Sequence, residues 1–280
     1  MMIRFFYLGL IGLLILISCK ESEEESAESD NNKKWKFVRE IKIENMSPTG
    51  LQLDGEYLWL SDAKNNRVIK TDLDGSIVKE YPDIKRPMHL SIYNSTVYVP
   101  EYLTDKIKII NGDEIEEYPL KEKPDAPAGV FVSDSLIAVV DFYNHRIILQ
   151  GKDHFILIGK EGHKKGELYY PTDVAIANDK IYVADAYNNR VQIFDYEGNS
   201  LQIIGDKDKI NVATGIEVTD NNIFVTDFEG SRILIYNLEG NLIITLKDNF
   251  SKPTDIAYSN SAIFISNYGD NTVSVIHLTR

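Results

Sequence analysis

One histidine and two aspartates stand at equivalent positions of an internal repeat and could together hold a metal ion. His89 occurs two residues after Pro87, and Asp173 and Asp255 each end a "PTD" tripeptide. An imidazole and two carboxylates suit a divalent ion such as Ca²⁺ or Zn²⁺. If these three repeats lie about 120° apart around an axis, the side chains would converge and leave coordination positions open for a substrate. The alternative is structural, because an Asp here can also cap the local turn.

The repeat that carries these residues has about 40 residues and occurs six times. Its copies begin at Pro48, Pro87, Pro127, Pro171, Ala213 and Pro253. Each copy contains short runs rich in β-branched and aromatic residues, separated by turn residues, and no helical period. Four antiparallel strands per copy would form a small sheet, and six such sheets around an axis leave few exposed edges. The sequence therefore predicts an all-β fold, a six-bladed β-propeller.

The two ends of the repeat region suggest how the ring closes. The sixth copy stops after its third strand, at "TVSVIHLTR", whereas "WKFVREIKIE" precedes the first copy and belongs to none. We therefore expect this N-terminal strand to pair with the last blade and supply its fourth strand. The propeller domain would then span residues 35–280.

The fourth copy resembles a known repeat family. Its text, "YYPTDVAIANDKIYVADAYNNRVQIFDYEGN", is similar to a unit of the NHL-repeat family, with Pro, an apolar strand, "VAD", Asn-Asn-Arg, a second apolar strand and a Gly turn. The resemblance implies a six-bladed propeller over the whole repeat region. It implies little about activity, since propellers host unrelated functions. The three candidate metal ligands are also similar to the central metal site of some six-bladed lyases and lactonases.

Each copy has an acidic or amide residue fourteen positions after its start, and five copies have a basic residue nineteen positions after it. A hairpin between the second and third strands would bring the two positions together. We expect structural ion pairs in the first five blades: Asp62–Arg67, Glu101–Lys106, Asp141–Arg146, Asp185–Arg190 and Asp227–Arg232. The sixth copy replaces both partners, with Asn267 and Thr272. Joint loss fits a local pair, because one orphaned buried charge is costly.

Aromatic residues follow the second strand in five of the six copies. They are Tyr102, Phe142, Tyr143, Tyr187, Phe228 and Tyr268. Strand direction places these loops, the connections between blades and the start of each first strand on one face of the disc, which we call the loop-rich face. Aromatic rings on a common rim suit a sugar, a peptide or a protein surface. The alternative is that they fill the wedges between neighbouring blades.

The N-terminal region has the pattern of an exported lipoprotein. An apolar run at 5–17 follows Arg4 and is too short to span a bilayer comfortably, which is typical of a signal peptide. "LISC" resembles a lipobox, so we expect cleavage after residue 18 and lipidation of Cys19, the single cysteine of the chain. Residues 19–34 are acidic and nearly free of apolar groups, as in a disordered tether. The expected location is the bacterial cell envelope, anchored to the outer membrane.

Charge and motifs narrow the function. A net charge of −13 argues against nucleic-acid binding, and the sequence has no P-loop, GxGxxG, HExxH or paired CxxC. No catalytic nucleophile can be identified. The favoured interpretation is a lipid-anchored propeller that binds a protein, peptide or glycan partner through its loop-rich face. The alternative is a metal-assisted lyase or lactonase centred on His89, Asp173 and Asp255.

Overall fold

A computed structural model of the protein describes residues 34–279, which form six sheets of four antiparallel strands each. This confirms the predicted six-bladed, all-β propeller. The predicted signal peptide, Cys19 and most of the predicted tether lie outside the described residues. Among the residues described, no helix is long and apolar enough to cross a membrane.

The strands follow one another from the axis to the rim in each blade. Blade 1 comprises β2 (Pro48–Asp54), β3 (Tyr57–Asp62), β4 (Arg67–Asp72) and β5 (Ile77–Pro82). Blade 2 comprises β6 (Ser91–Tyr93), β7 (Thr96–Glu101), β8 (Lys106–Asn111) and β9 (Glu114–Glu117). Blade 3 comprises β10 (Pro127–Val132), β11 (Leu136–Asp141), β12 (Arg146–Gly151) and β13 (Phe155–Ile158). Blade 4 comprises β14 (Asp173–Ala177), β15 (Lys180–Asp185), β16 (Arg190–Phe194) and β17 (Ser200–Ile204). Blade 5 comprises β18 (Ala213–Val218), β19 (Asn222–Asp227), β20 (Arg232–Asn237) and β21 (Leu242–Leu246). Blade 6 comprises β22 (Pro253–Ser259), β23 (Ala262–Asn267) and β24 (Thr272–Thr279), and β1 (Lys34–Lys42) is its fourth strand. One short 3₁₀ turn, Ala186–Asn188, follows β15.

The N-terminal strand closes the ring, as the sequence predicts. β1 pairs antiparallel with β24 and forms the outer strand of blade 6. The pairing runs from Lys34 opposite Thr279 to Lys42 opposite Thr272, with one irregularity near Arg39. The Trp35 ring packs edge-on against Phe224 of blade 5, with ring centroids 5.7 Å apart. Both ends of the described chain are therefore held in one sheet.

The hydrophobic core lies between the blades. Because side chains alternate along each strand, each sheet presents one apolar face to each of its two neighbours. Between blades 4 and 5, for example, Tyr182 and Ile193 pack with Ile223 and Tyr236, and all four are essentially inaccessible to solvent. Equivalent clusters fill the other wedges. This packing fixes the angle of each blade, and hence the position of its inner strand at the axis.

The residue that ends the second strand pins the chain segment entering its own blade. Its side-chain oxygen accepts a hydrogen bond of 2.7–3.2 Å from a backbone N–H in that segment, and all six blades repeat the contact. We call this contact the clamp. The six acceptors are Asp62, Glu101, Asp141, Asp185, Asp227 and Asn267. A buried carboxylate or amide at this position is therefore part of the architecture.

Four clamps also contain the expected ion pair. The arginine Nε lies 2.6–2.9 Å from the aspartate Oδ2 in blades 1, 3, 4 and 5. In blade 4, the Arg190 guanidinium also donates to the backbone oxygens of His163, Lys164 and Glu167, which lie in the connection from blade 3. The aspartate and the arginine thus hold the same connecting segment from two sides.

Blades 2 and 6 differ from this pattern. The expected Glu101–Lys106 pair is not formed, because Lys106 Nζ lies 2.7 Å from Glu117 Oε2 on the outer strand. Glu101 accepts instead from the Thr104 hydroxyl at 2.7 Å, as well as from its clamp N–H. In blade 6 the Asn267 amide donates to Ser274 Oγ at 2.8 Å, so the clamp is uncharged there.

Candidate functional site

His89, Asp173 and Asp255 meet at the axis of the propeller. His89 stands just before β6, Asp173 begins β14, and Asp255 is the third residue of β22. One potential ligand atom from each residue lies within 4.8 Å of the others. All three residues are at least nine-tenths buried, with exposed fractions of 3–6%. Blades 2, 4 and 6, which alternate around the ring, thus bring one imidazole and two carboxylates together at the axis.

Glycines make room for these three side chains. The other three blades carry Gly50, Gly129 and Gly215 at the equivalent position. A Cβ on any of them would come within 2.5–2.8 Å of a backbone oxygen in the following blade. These contacts are closer than van der Waals distance, so only glycine fits while the inner strands remain at this spacing. The alternation of glycine with a functional side chain is therefore a packing requirement.

Both aspartates also tie neighbouring blades together. Asp173 Oδ1 accepts from the N–H of Val174 at 2.8 Å, and Oδ2 accepts from the N–H of Ile216 in blade 5 at 2.9 Å. Asp255 does the same with Ile256 at 2.8 Å and with Leu51 of blade 1 at 2.8 Å. Backbone capping, the structural alternative for these residues, is therefore present. Each carboxylate oxygen still has lone-pair capacity beyond this one backbone bond.

The imidazole of His89 is less well satisfied than the aspartates. Its Nδ1 is buried and makes no hydrogen bond of good geometry among the described residues, although Asp255 lies close enough to form one when the ring is protonated. This atom lies 3.3 Å from Asp255 Oδ2 and 3.9 Å from Asp173 Oδ2. Burial opposes a positive charge on the ring, but the carboxylates of Asp255 and Asp173 outweigh it and raise the pKa of His89 to about 9. The cluster therefore holds a proton, or another cation, at this nitrogen.

A cavity of about 180 Å³ adjoins the cluster and contains a further carboxylate that the sequence analysis did not select. Glu217 lines this cavity together with Gln52 and Ser91. Burial, then the charges of Asp255 and Asp173, raise the pKa of Glu217 to about 8. Burial likewise raises the pKa of Asp173, to about 7. The axis therefore contains a group of carboxyl groups that retain protons near neutral pH.

The side chains of His89, Asp173 and Asp255 suit Zn²⁺ or a first-row transition-metal ion better than Ca²⁺. Calcium takes about six to eight oxygen ligands, whereas one nitrogen and two carboxylates match the ligands of Zn²⁺ and similar ions. The Nδ1 of His89 is the donor that backbone bonding leaves free, and the two aspartates supply the charge. Asp173 and Asp255 are already oriented by their backbone hydrogen bonds, which is how metal ligands are commonly held in place.

The aromatic residues of the loop-rich face fall into two groups. Tyr102, Phe142, Tyr143 and Tyr187 join Tyr169 and Tyr170 in what we call the aromatic cluster, which spans blades 2 to 4. Neighbouring ring centroids within it are 4.8–6.2 Å apart. Phe228 and Tyr268 form a separate pair on blades 5 and 6, at 6.3 Å. The rings therefore pack across blade junctions and also remain in part on the surface.

Exposure within the aromatic cluster is concentrated at its outer rings. Tyr143 and Tyr187 are 49% and 58% exposed, and Leu103, which follows Tyr102 in the chain, is 60% exposed. Tyr169 and Tyr170 were not predicted, because they precede the start of one repeat copy only. Tyr169 stacks on His145 with a centroid distance of 5.3 Å. Both readings of the aromatic residues, interblade packing and a partner surface, are thus compatible with the arrangement.

Comparison with known proteins supports the repeat assignment. Residues 168–194, which include the start of blade 4, match the family model described as NHL repeat. The protein is a six-bladed β-propeller, and the segment of its fourth blade that the sequence analysis singled out is the one that matches the NHL repeat. A search of curated proteins found no match.

Several solved structures share the fold. A streptogramin B lyase has 14% identity and a TM-score of 0.65, and the alignment covers 88% of this chain and 98% of that one. A virginiamycin B lyase from Staphylococcus aureus has 21% identity and a TM-score of 0.64, with 88% of each chain covered. A chain of a nidogen/laminin complex has 13% identity and a TM-score of 0.60, covering 71% and 79%. At these identities the similarity concerns the fold.

Proposed function

We propose that this protein is a lipid-anchored scaffold of the cell envelope that binds a protein, peptide or glycan partner through its loop-rich face. The observation that supports this proposal is the aromatic cluster on blades 2 to 4. Six rings form one connected series of ring contacts there, and Tyr143 and Tyr187 present about half of their surface to solvent. Contiguous exposed aromatic surface is characteristic of interaction sites.

The rigidity of this surface favours binding. Tyrosine loses little conformational entropy on association and offers both an apolar ring and a hydroxyl. Here each ring is supported by another, and Tyr187 also donates its backbone N–H to the Tyr169 carbonyl at 3.1 Å. A surface that is already ordered avoids much of the entropic cost of binding.

The test compares two tyrosine surfaces of the same protein. Tyr143→Ser combined with Tyr187→Ser removes the exposed part of the aromatic cluster. Tyr57→Ser is the matched control, because Tyr57 is 38% exposed and begins the second strand of its blade, away from the loop-rich face. Crosslinking in intact cells, followed by glycan-array and peptide-array binding of the purified protein, should yield a partner whose binding falls at least about ten-fold in the double variant. Equal binding by wild type and double variant would overturn the proposal.

Anchoring through Cys19 is a separate part of the proposal. The lipobox-like "LISC" and the single cysteine of the chain support it. Cys19→Ala should abolish incorporation of labelled fatty acid and move the protein from the detergent phase to the aqueous phase. A variant that still partitions into detergent would remove the lipid anchor while leaving the binding proposal intact.

The second candidate is a metal-assisted lyase or lactonase, favoured by one observation. His89 Nδ1 is buried, makes no hydrogen bond of good geometry among the described residues, and is placed between two oriented carboxylates. His89, Asp173 and Asp255 would hold the ion, which would act as a Lewis acid toward a carbonyl or leaving-group oxygen. Glu217, which retains a proton near neutral pH, lines the same cavity and could exchange a proton with a bound molecule. Two of the structural neighbours are named as lyases.

Metal analysis separates the two candidates. Wild-type protein without an affinity tag should retain about one Zn²⁺ or similar ion per chain after dialysis, and its affinity should rise with pH because the ion displaces the proton from His89. His89→Gln should lose the ion, whereas Glu217→Gln, the matched control in the same cavity, should keep it. Absence of any bound metal in the wild type after incubation with Zn²⁺, Mn²⁺ or Ca²⁺ would eliminate this candidate.

A further inference from the structure

A second cavity lies on the loop-rich face, over the axis, and its lining combines basic and aromatic side chains. This axial pocket has a volume of about 330 Å³, within the usual range for small-molecule sites. Its lining is Thr49, Ala63, Lys64, Arg86, Met88, Phe228, Thr254 and Tyr268. Two of these residues are basic and none is acidic, in a chain whose net charge is −13.

The two cations of the axial pocket are free to meet a ligand. Neither Lys64 nor Arg86 takes part in an ion pair among residues 34–279, and both are exposed. The Arg86 guanidinium lies 4.4 Å above the ring of Tyr102, which restrains its position. By contrast, Lys252, next to the pocket, is balanced by Glu229 at 3.3 Å.

The other side of the axial pocket is aromatic: the Phe228 and Tyr268 rings lie 6.3 Å apart and are tilted by 47° to each other, with Lys252 Nζ 5.2 Å from the Phe228 centroid. Phe228 and Tyr268 stand on blades 5 and 6, whereas Lys64 and Arg86 stand on blades 1 and 2, so the ring order separates the aromatic wall from the cationic wall. Met88 adds an apolar contact at the axis. The hydroxyl of Thr49, which is buried and has no partner among the described residues, also borders this pocket.

We propose that the axial pocket binds a small organic acid whose carboxylate lies beside a flat apolar group. The carboxylate pairs with Arg86 and Lys64, and the apolar group packs on Phe228 and Tyr268. Two sources share this chemistry: a free aromatic acid, and the C-terminal residue of a peptide that ends in an apolar side chain. The proposal deepens the binding role of the loop-rich face but uses none of the exposed tyrosines of the aromatic cluster.

Inorganic anions and sugar acids satisfy only part of this pocket. Phosphate would use the cations and leave the aromatic wall exposed to water. A uronic acid would bring most of its hydroxyl groups against Met88, Ala63 and the rings, and among the buried side chains already described only the Thr49 hydroxyl is free to pair with one of them. An apolar body next to the acid group is therefore the chemistry that uses both walls.

The experiment measures binding of defined probes by calorimetry and ligand-detected NMR on the wild-type protein. The probes are phenylacetate, N-acetylphenylalanine, N-acetylphenylalanine amide, glucuronate and inorganic phosphate. We expect each of the two aromatic carboxylates to bind at least about ten-fold more tightly than the amide, because the amide lacks the charge that pairs with Arg86 and Lys64. The tighter of the two carboxylates identifies the source. Equal binding of acid and amide, or tighter binding of glucuronate or phosphate, would overturn the proposal.

Variants locate the binding. Arg86→Gln and Lys64→Gln should each weaken binding of the aromatic carboxylates by about ten-fold, and Tyr268→Ser by several-fold. Lys121→Gln is the matched control, because Lys121 also lies over an aromatic ring, that of Phe155 at 5.9 Å, on another part of the surface. The single variant Tyr187→Ser should keep full affinity for the probes, because the Tyr187 ring packs on Tyr169 and Tyr170 and not on Tyr102, which supports Arg86. Partner binding by this variant therefore reports on the proposed function, and its probe binding on the axial pocket. Unchanged probe affinity in Arg86→Gln and Lys64→Gln would exclude this pocket.

Discussion

The clamps and the axis cluster, by which we mean His89, Asp173, Asp255 and Glu217, are both sets of buried polar groups. Only in the clamps does every buried polar side chain have its hydrogen-bond partners. Asp185 accepts from Arg190, from the Asn188 amide and from a backbone N–H. At the axis, His89 Nδ1 makes no hydrogen bond of good geometry within residues 34–279, and three groups have raised pKa values. The difference teaches that buried polar groups have two outcomes in this fold. They are fully paired in the clamps, whereas an imperfectly paired imidazole lies among carboxylates at the axis.

The largest expected effect comes from breaking a charged clamp. Asp185→Ala leaves the guanidinium of Arg190, which is 7% exposed, without its carboxylate. We expect a loss of about 3–5 kcal/mol in the free energy of unfolding, measured by urea denaturation. The double variant with Arg190→Met should recover part of the loss. A single variant within about 1 kcal/mol of wild type would show that the clamp is not stabilised by its charges.

The contribution of the axis cluster to the free energy of unfolding should instead depend on pH. The folded-state pKa of His89 is raised from 6.5 to about 9, so its stabilising contribution is complete below pH 6.5 and is lost as pH rises through 9. At about 1.4 kcal/mol per pH unit, the loss is on the order of 3 kcal/mol in metal-free protein. Thermal unfolding in EDTA across this range measures it.

Neighbouring groups act in the same direction and need a control. Asp173 and Glu217 also have raised pKa values, to about 7 and about 8, so their ionisation lowers stability as pH rises from about 4. Glu217→Gln removes one of these contributions and keeps the loss caused by His89. His89→Gln should reduce the loss of stability between about pH 8 and 9, above the pKa values of Asp173 and Glu217, and a profile identical to wild type would contradict the assigned role of the imidazole.

An uncharged clamp should contribute less to the free energy of unfolding than a charged one. Asn267→Ala removes hydrogen bonds to Ser251 and Ser274 but leaves no orphaned charge in blade 6. We expect a loss of about 1–3 kcal/mol, from buried groups left without partners. Urea unfolding of this variant beside Asp185→Ala tests the ranking, and a larger loss for Asn267→Ala would reverse it.

The smallest effect is expected at the blade 2 position where the predicted pair is absent. Lys106 meets Glu117 at a largely exposed site, so Lys106→Ala should cost less than about 1 kcal/mol. Glu101→Ala in the same blade removes the clamp acceptor and should cost clearly more. Equal costs for the two variants would indicate that Lys106 contributes to the clamp in solution.

Local spacing explains what the sequence could predict. The ion pairs join residues that one hairpin brings together, so a constant offset of five residues was enough to find them in blades 1, 3, 4 and 5. The clamp contact with the entering segment spans about sixteen residues and was not predicted. The position of His89, Asp173 and Asp255 followed from ring symmetry, which converts an equal offset in the repeat into a shared place at the axis. The closing strand followed from counting strands, and the structure confirms it.

The features that were missed depend on contacts between copies or on single-copy residues. Lys106 could reach either Glu101 or Glu117, and only the register of β8 with β9 decides between them. The pKa of Glu217 depends on carboxylates from two other blades, Asp173 and Asp255. Tyr169 and Tyr170 occur in one connection only, so the repeat alignment gave them no significance.

The pairing of β1 with β24 also constrains the order of events during synthesis. As the chain emerges, the first strand has no partner until more than two hundred further residues have been made, and blade 6 is completed by residues from both ends. Contacts this distant in sequence form slowly and leave an unpaired edge while they wait. The final sheet therefore acts as a check on chain length: a product that stops early cannot close, and it stays open to chaperones and proteases.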